Sequence, residues 1–183
     1  VSGLGSLLED TTPQLGGNLD LNSNNITGTG NINITGHFTA TDGSTITTAD
    51  NSTQLTLKST DADNAEGPRL DFVRDSASPA DDDQIGKVQF EGRNDNTQDV
   101  IYTEIVNQIK DAIDGTEDGR MAFNTMVNGT LRAAIDILPT EIVINDGSID
   151  RDFRVESNNN DTMLVVDAGN DKVNIGSTSS TTI

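Results

Sequence analysis

Apolar residues in this chain come in brief bursts, at every second position. Leu19 and Leu21 are separated by Asp20, and Ile32 and Ile34 by Asn33. Alternation of this kind places the apolar pair on one face of a strand and the polar residue on the other. Asn, Thr and Gly fill the gaps between bursts, tolerate positive φ and punctuate strands. Strands so short, with one or two apolar side chains each, do not make a globular core. They stack into a slender solenoid or fibre, where each turn buries its few apolar groups against neighbours or other subunits.

The density of this pattern divides the chain into three regions. Residues 1–60 carry sparse bursts (NLDL, NINI, HFTA, QLTLKS) and read as a narrow shaft or N-terminal linker. A flexible low-complexity leader is the alternative for this region. Residues 61–145 form a denser β-rich module. RLDFVR puts Leu70 and Phe72 on one face, and GKVQFE does the same for Val88 and Phe90. MAFNTMV offers Met121, Phe123 and Val127, and EIVIN adds Ile142 and Ile144. TLRAAIDI places Leu131, Ala133, Ile135 and Ile137 on a period of two. Asn128-Gly129, between two such runs, signals a type I′ hairpin. Residues 146–183 return to the sparse style, with strands FRVE, MLVVD and KVNIG separated by turns.

One stretch supports two readings. Ile101, Ile105, Ile109 and Ile113 recur every four residues, as a helix stripe would. Period two also fits, with Ile101, Thr103, Ile105 and Ile109 inward. The β-branched content and flanking turns favour the strand.

Composition sharpens the picture. Leu, Ile, Val and Phe total 44 of 183 residues, above the level of intrinsically disordered chains. Aromatics are only 3% and Trp is absent, so large core-filling side chains are scarce. A lone copy would be thinly stabilised, and oligomerisation is the remedy. The net charge of −19 argues against nucleic acid and against anionic membrane surfaces. There is no cysteine, which excludes disulfides, thiolate metal sites and cysteine nucleophiles. No apolar run approaches the ~20 residues of a membrane-spanning helix. The opening VSGLGSLLED has no signal-peptide pattern and no initiator Met, and with the ragged GSTSSTTI it suggests a segment of a longer chain.

Candidate chemistry is sparse. His37 is the only histidine and supports no Ser-His-Asp arrangement. Acids are abundant, including Asp61, Asp63, Asp81, Asp82, Asp83, Glu117 and Asp118. Paired carboxylates hydrolyse glycosides, but a sugar-binding groove needs aromatics and Tyr102 is the only tyrosine. Asp61-Ala62-Asp63-Asn64 begins like a calcium loop, and Ala65 and Glu66 break the pattern. Asp81–Asp83 could hold calcium through hard oxygens, although a solvated turn is the favoured reading. Gly169-Asn170-Asp171 is similar to part of a calcium β-roll repeat, but it occurs once and is a weak signal. Sequons at Asn25, Asn33, Asn51, Asn128 and Asn160 follow from an Asn/Thr-rich composition. Seven arginines (Arg69, Arg74, Arg93, Arg120, Arg132, Arg151, Arg154) are expected in intersubunit ion pairs. No catalytic, cofactor-binding or metal residue is assigned, no cofactor is expected, and the receptor-binding residues are not identifiable.

Three segments resemble parts of tail fibre proteins of marine tailed bacteriophages, of the cyanophage or pelagiphage kind. EDTTPQLGGNLDLNSNNITGTGNINITG resembles a recurrent fibre segment. GPRLDFVRDSASPADDDQIGKVQFEGRNDNTQDVIYTEI with DGTEDGRMAFNTMVNGTL looks like a β-rich module of such fibres. DFRVESNNNDTMLVVDAGNDKVNIGS is similar to the segment that often precedes a self-cleaving C-terminal chaperone domain, which this sequence does not contain. The resemblance covers nearly the whole chain and implies a parallel homotrimer in a virion. The expected fold is therefore all-β, an elongated homotrimeric fibre with a β-helical or β-prism-like shaft around a denser middle module. The expected role is structural, non-enzymatic host attachment or spacing of a receptor-binding tip. Expected partners are other tail or capsid proteins and a host-surface glycan or protein receptor, with no nucleic acid and no membrane insertion. A capsid-surface fibre or decoration protein is the alternative, and a glycan depolymerase a more distant one.

Overall fold

A computed structural model of the chain describes residue 25 and residues 32–176. The chain divides into two units, residues 1–56 and 57–183. In the first unit the described residues are exposed and carry no strand. NLDL lies outside the described residues. HFTA and QLTLKS were expected as strands and are not paired. A strand is held by a ladder partner, and these bursts have none among the described residues. Local order comes from side chains instead: the Asp50 carboxylate accepts the Ser52 amide at 2.9 Å.

The second unit is all-β among its described residues and contains two antiparallel sheets. The first is a meander of β1 (Gln84–Arg93), β2 (Asp99–Asp111), β3 (Asp118–Val127), β4 (Thr130–Ile137) and β5 (Ile142–Ile144), in that spatial order. The second joins β6 (Phe153–Ser157), β7 (Asn160–Asp167) and β8 (Lys172–Ile175) in the same way. The ambiguous stretch is therefore strand: Val100, Ile101, Thr103, Ile105, Val106 and Ile109 crowd a helix and suit a pleated ladder. Ile113, the last residue of the apparent helix stripe, lies 66% exposed beyond the strand.

Each hairpin is closed by local chemistry. Asn128 and Gly129 have φ of 48° and 77°, the paired left-handed values of a type I′ turn, and Val127 faces Thr130 across it. Between β1 and β2 the Asn94 side-chain oxygen accepts the Asn96 and Gln98 amides at 3.0 and 2.9 Å. Between β2 and β3 the Asp111 carboxylate accepts the Ile113 amide at 2.9 Å. RLDFVR, expected as a strand, has no ladder partner. It runs irregularly beside β1, where a Cβ on Gly86 would come within 3.3 Å of the Phe72 Cβ. Arg74 anchors it, donating to the Gln84 carbonyl at 3.0 Å and pairing with Asp83 at 3.0 Å.

Of the four register shifts in the five-stranded sheet, two change which of the expected apolar residues share a face. The β1–β2 register slips between Phe90 and Glu91, so Tyr102 is an extra residue and its ring lies over Gly92. Ile101, opposite Glu91, thereby leaves the face of Thr103, Ile105 and Ile109, correcting the uniform alternation expected for β2. In β4 the slip falls between the partners of Phe123 and Asn124, with Ala134 extra. Leu131 and Ala133 thus face one way and Ile135 and Ile137 the other, where a single alternating face was expected.

Gly129 sits in a conformation that costs a Cβ-bearing residue about 1–2 kcal/mol, and no atom lies near its missing Cβ. Gly129→Ala should lower stability by about that amount through backbone strain alone, measured by chemical denaturation at fixed protein concentration.

Candidate functional site

The registers give the five-stranded sheet two unlike faces. On one, a row crosses all five strands: Val88, Ile105, Phe123, Ile135 and Ile144. A second row beside it runs Gly86, Asn107, Met121, Ile137 and Ile142. This face is apolar and largely uncovered, with Phe72 against Gly86 at the β1 edge. Ile142 is 67% exposed, and the others in these rows are half-buried or exposed; Phe90, in the next row opposite Thr103, is 59% exposed. The three-stranded sheet repeats the design, with Phe153, Val166 and Val173 in one row and Val155, Leu164 and Ile175 in the next. The two apolar faces meet where Ile144, Phe153 and Val166 line a common hollow with Arg151. Arg151 reaches over the first sheet and donates to the Thr125 hydroxyl at 2.6 Å.

The opposite face of the five-stranded sheet is polar and carries the charge network. Among the described residues only four are buried: Val106, Ala122, Glu104 and Asp136. All four lie here, and the register sets Val106 beside Ala122 and Ala122 beside Asp136. Asp136 accepts two hydrogen bonds from Arg120, at 2.7 Å from Nε and 2.6 Å from Nη2. The fork geometry matches a carboxylate and neutralises it in place. The pair raises the Arg120 guanidinium above its ordinary value, chiefly through these hydrogen bonds and against the opposing effect of burial. Arg120 also donates to the Gln108 side chain at 3.2 Å, tying β2, β3 and β4 together. Glu104 accepts from Asn124 at 2.9 Å and from Gln89 at 3.2 Å, with the Lys87 ammonium 3.7 Å away. Its carboxyl is held below the ordinary glutamate value, first by Asn124, against burial, and further by Gln89 and Lys87.

The acids singled out in the sequence serve turns and ion pairs. Asp61 and Asp63 accept backbone amides of Asp63 and Ala65 at 3.3 and 2.8 Å. Asp81 accepts the Ala112 amide at 2.9 Å, Asp82 pairs with Lys110, and Asp83 accepts the Ala80 amide at 3.1 Å while holding Arg74. Glu117 accepts the Gly115 amide at 3.1 Å, and Asp118 opens β3 opposite Asp111. Asp167 accepts from the Asn170 backbone and side chain in the turn of Gly169. His37 is exposed in the first unit. Among the described residues no three His, Asp or Glu side chains converge as metal ligands would.

Of the seven arginines expected between subunits, five pair within the chain. Arg69 meets Asp71, Arg74 meets Asp83, Arg93 meets Asp99, Arg120 meets Asp136 and Arg154 meets Glu156. Neighbouring acids in a chain of this charge supply partners first. Sequence reading missed Glu104, Arg120 and Asp136 as a network. The signal was available in the positions between the apolar ones, where Lys87, Gln89, Glu104, Arg120, Asn124 and Asp136 alternate along four strands.

No protein-family model, curated protein or solved structure matches the chain.

Removing one member of a buried pair leaves the other uncompensated. Arg120→Met should destabilise the protein by about 3 kcal/mol, whereas Arg120→Met with Asp136→Leu should return to within about 1 kcal/mol of the parent. Denaturation midpoints at fixed concentration check both. Acid should also weaken the sheet. Glu104's contribution is complete above pH 4.5, its ordinary value, and is lost as pH falls through the lowered folded value. Midpoints measured from pH 6 to pH 3 should fall less steeply for Glu104→Gln than for the parent.

Proposed function

We propose that this chain is a structural, non-enzymatic segment of a homotrimeric phage tail fibre, which attaches the particle to a host surface or spaces a receptor-binding tip. The observation that carries the reading is the one-sided sheet pair, with charge neutralised on one face and an apolar face uncovered on the other. A fold without a closed core of its own suits a rod whose core is completed between subunits. The resemblance of its three segments to marine phage fibres supplies the virion context.

The chemistry on the polar face fits a structural role. Its ionised groups are paired with each other and locked by amides, the reverse of a poised acid and base. Adhesion by a fibre draws on several copies acting together, so a weak contact per subunit suffices. The capsid-surface alternative differs only in location.

Sedimentation of the purified chain should give three times the 19.4 kDa monomer mass. Antibody-gold labelling of particles should decorate the tail. A monomer removes the trimer, and label on the capsid moves the protein to that surface.

A further inference from the structure

We propose that the apolar face of the β1–β5 sheet, continued by that of β6–β8, is the surface on which copies of this chain meet. The inference rests on the homo-oligomeric reading above and names its interface. The occupant is a second copy for three reasons.

The first is constancy. With two apolar residues buried among those described, the sheets need their cover whenever they fold. Another copy is the one partner present wherever the chain is made.

The second is charge. The chain carries −19, and contact between like copies ordinarily brings carboxylates together. The registers leave no carboxylate on the apolar face of the five-stranded sheet: Glu104, Asp136, Asp111 and Asp118 all fall on the other side. Two guanidinium groups stand over its middle, Arg132, opposite Thr125, and Arg151, bonded to it, while Arg69 and its ion-pair partner Asp71 lie at the β1 edge beside Gly86 and Asn107. An apolar surface carrying guanidinium groups complements a partner with acidic margins, which another copy provides.

The third is area. Five strands at about 4.8 Å spacing and eight residues in length cover on the order of 600 Å², and the smaller sheet adds roughly 200 Å². The sum reaches the ~800 Å² per partner of a stable interface.

Because the chain has no cysteine, single-cysteine variants report each face cleanly. Ile135→Cys marks the apolar face and Glu91→Cys, exposed on the opposite side, is the control. Maleimide labelling rates are compared under native and denaturing conditions, alongside sedimentation mass. The proposal expects an oligomer in which Ile135→Cys reacts about tenfold more slowly when native, while Glu91→Cys is little protected. An oligomer with both positions labelled alike overturns the interface and leaves the oligomer standing. A monomer with Ile135→Cys protected overturns both, with residues of the same chain as the cover. A monomer labelled freely at both positions also overturns both.

Discussion

A single-layer sheet keeps only half of what a sheet can gain. Its ladders satisfy the backbone, but its apolar face is stabilised only to the extent that something lies against it. Val88, Ile105, Phe123, Ile135 and Ile144 line up across five strands, and each remains half-buried or exposed. The same condition holds in the three-stranded sheet. The bulges, the turn chemistry and the charge network all make sense as ways of fixing this one face in register.

The polar face shows how register is enforced without a hydrophobic core behind it. Slipping a strand by one residue would turn its whole side-chain set over. In the five-stranded sheet such a slip would also separate Arg120 from Asp136 and Glu104 from Asn124, leaving ionised groups without partners. The network therefore acts against misalignment more than as a source of net stability, since a buried ion pair gains little over apolar replacements. The Asn128-Gly129 turn enforces the same alignment locally, because only a two-residue loop of this kind sets Val127 opposite Thr130.

Much of the sheet architecture was legible from alternation and turn residues. β4 was read at its observed limits, and the other strands were anticipated within a few residues, because period two, β-branched side chains and Asn/Gly/Asp turns act locally. The bulges were not legible. Nothing in YTE or RAAI announces an extra residue, since a bulge is a property of two strands meeting and not of one. RLDFVR carries a sound strand pattern, yet it lies beside the β1 edge without forming a ladder to it, an outcome that alternation within one segment does not decide. The polar network escaped notice because single-strand reading counts apolar positions, whereas Arg120 and Asp136 acquire meaning only once β3 and β4 are paired.

Tyr102 occupies the bulge of β2, with its ring laid over Gly92 on the uncovered side, and it is the chain's sole tyrosine in the absence of any tryptophan. The protein's near-ultraviolet absorbance and intrinsic fluorescence thus come from essentially one chromophore, placed at the border of its most solvent-sensitive surface. The molecule carries its own optical gauge of whether that border is wet or dry, without any added dye.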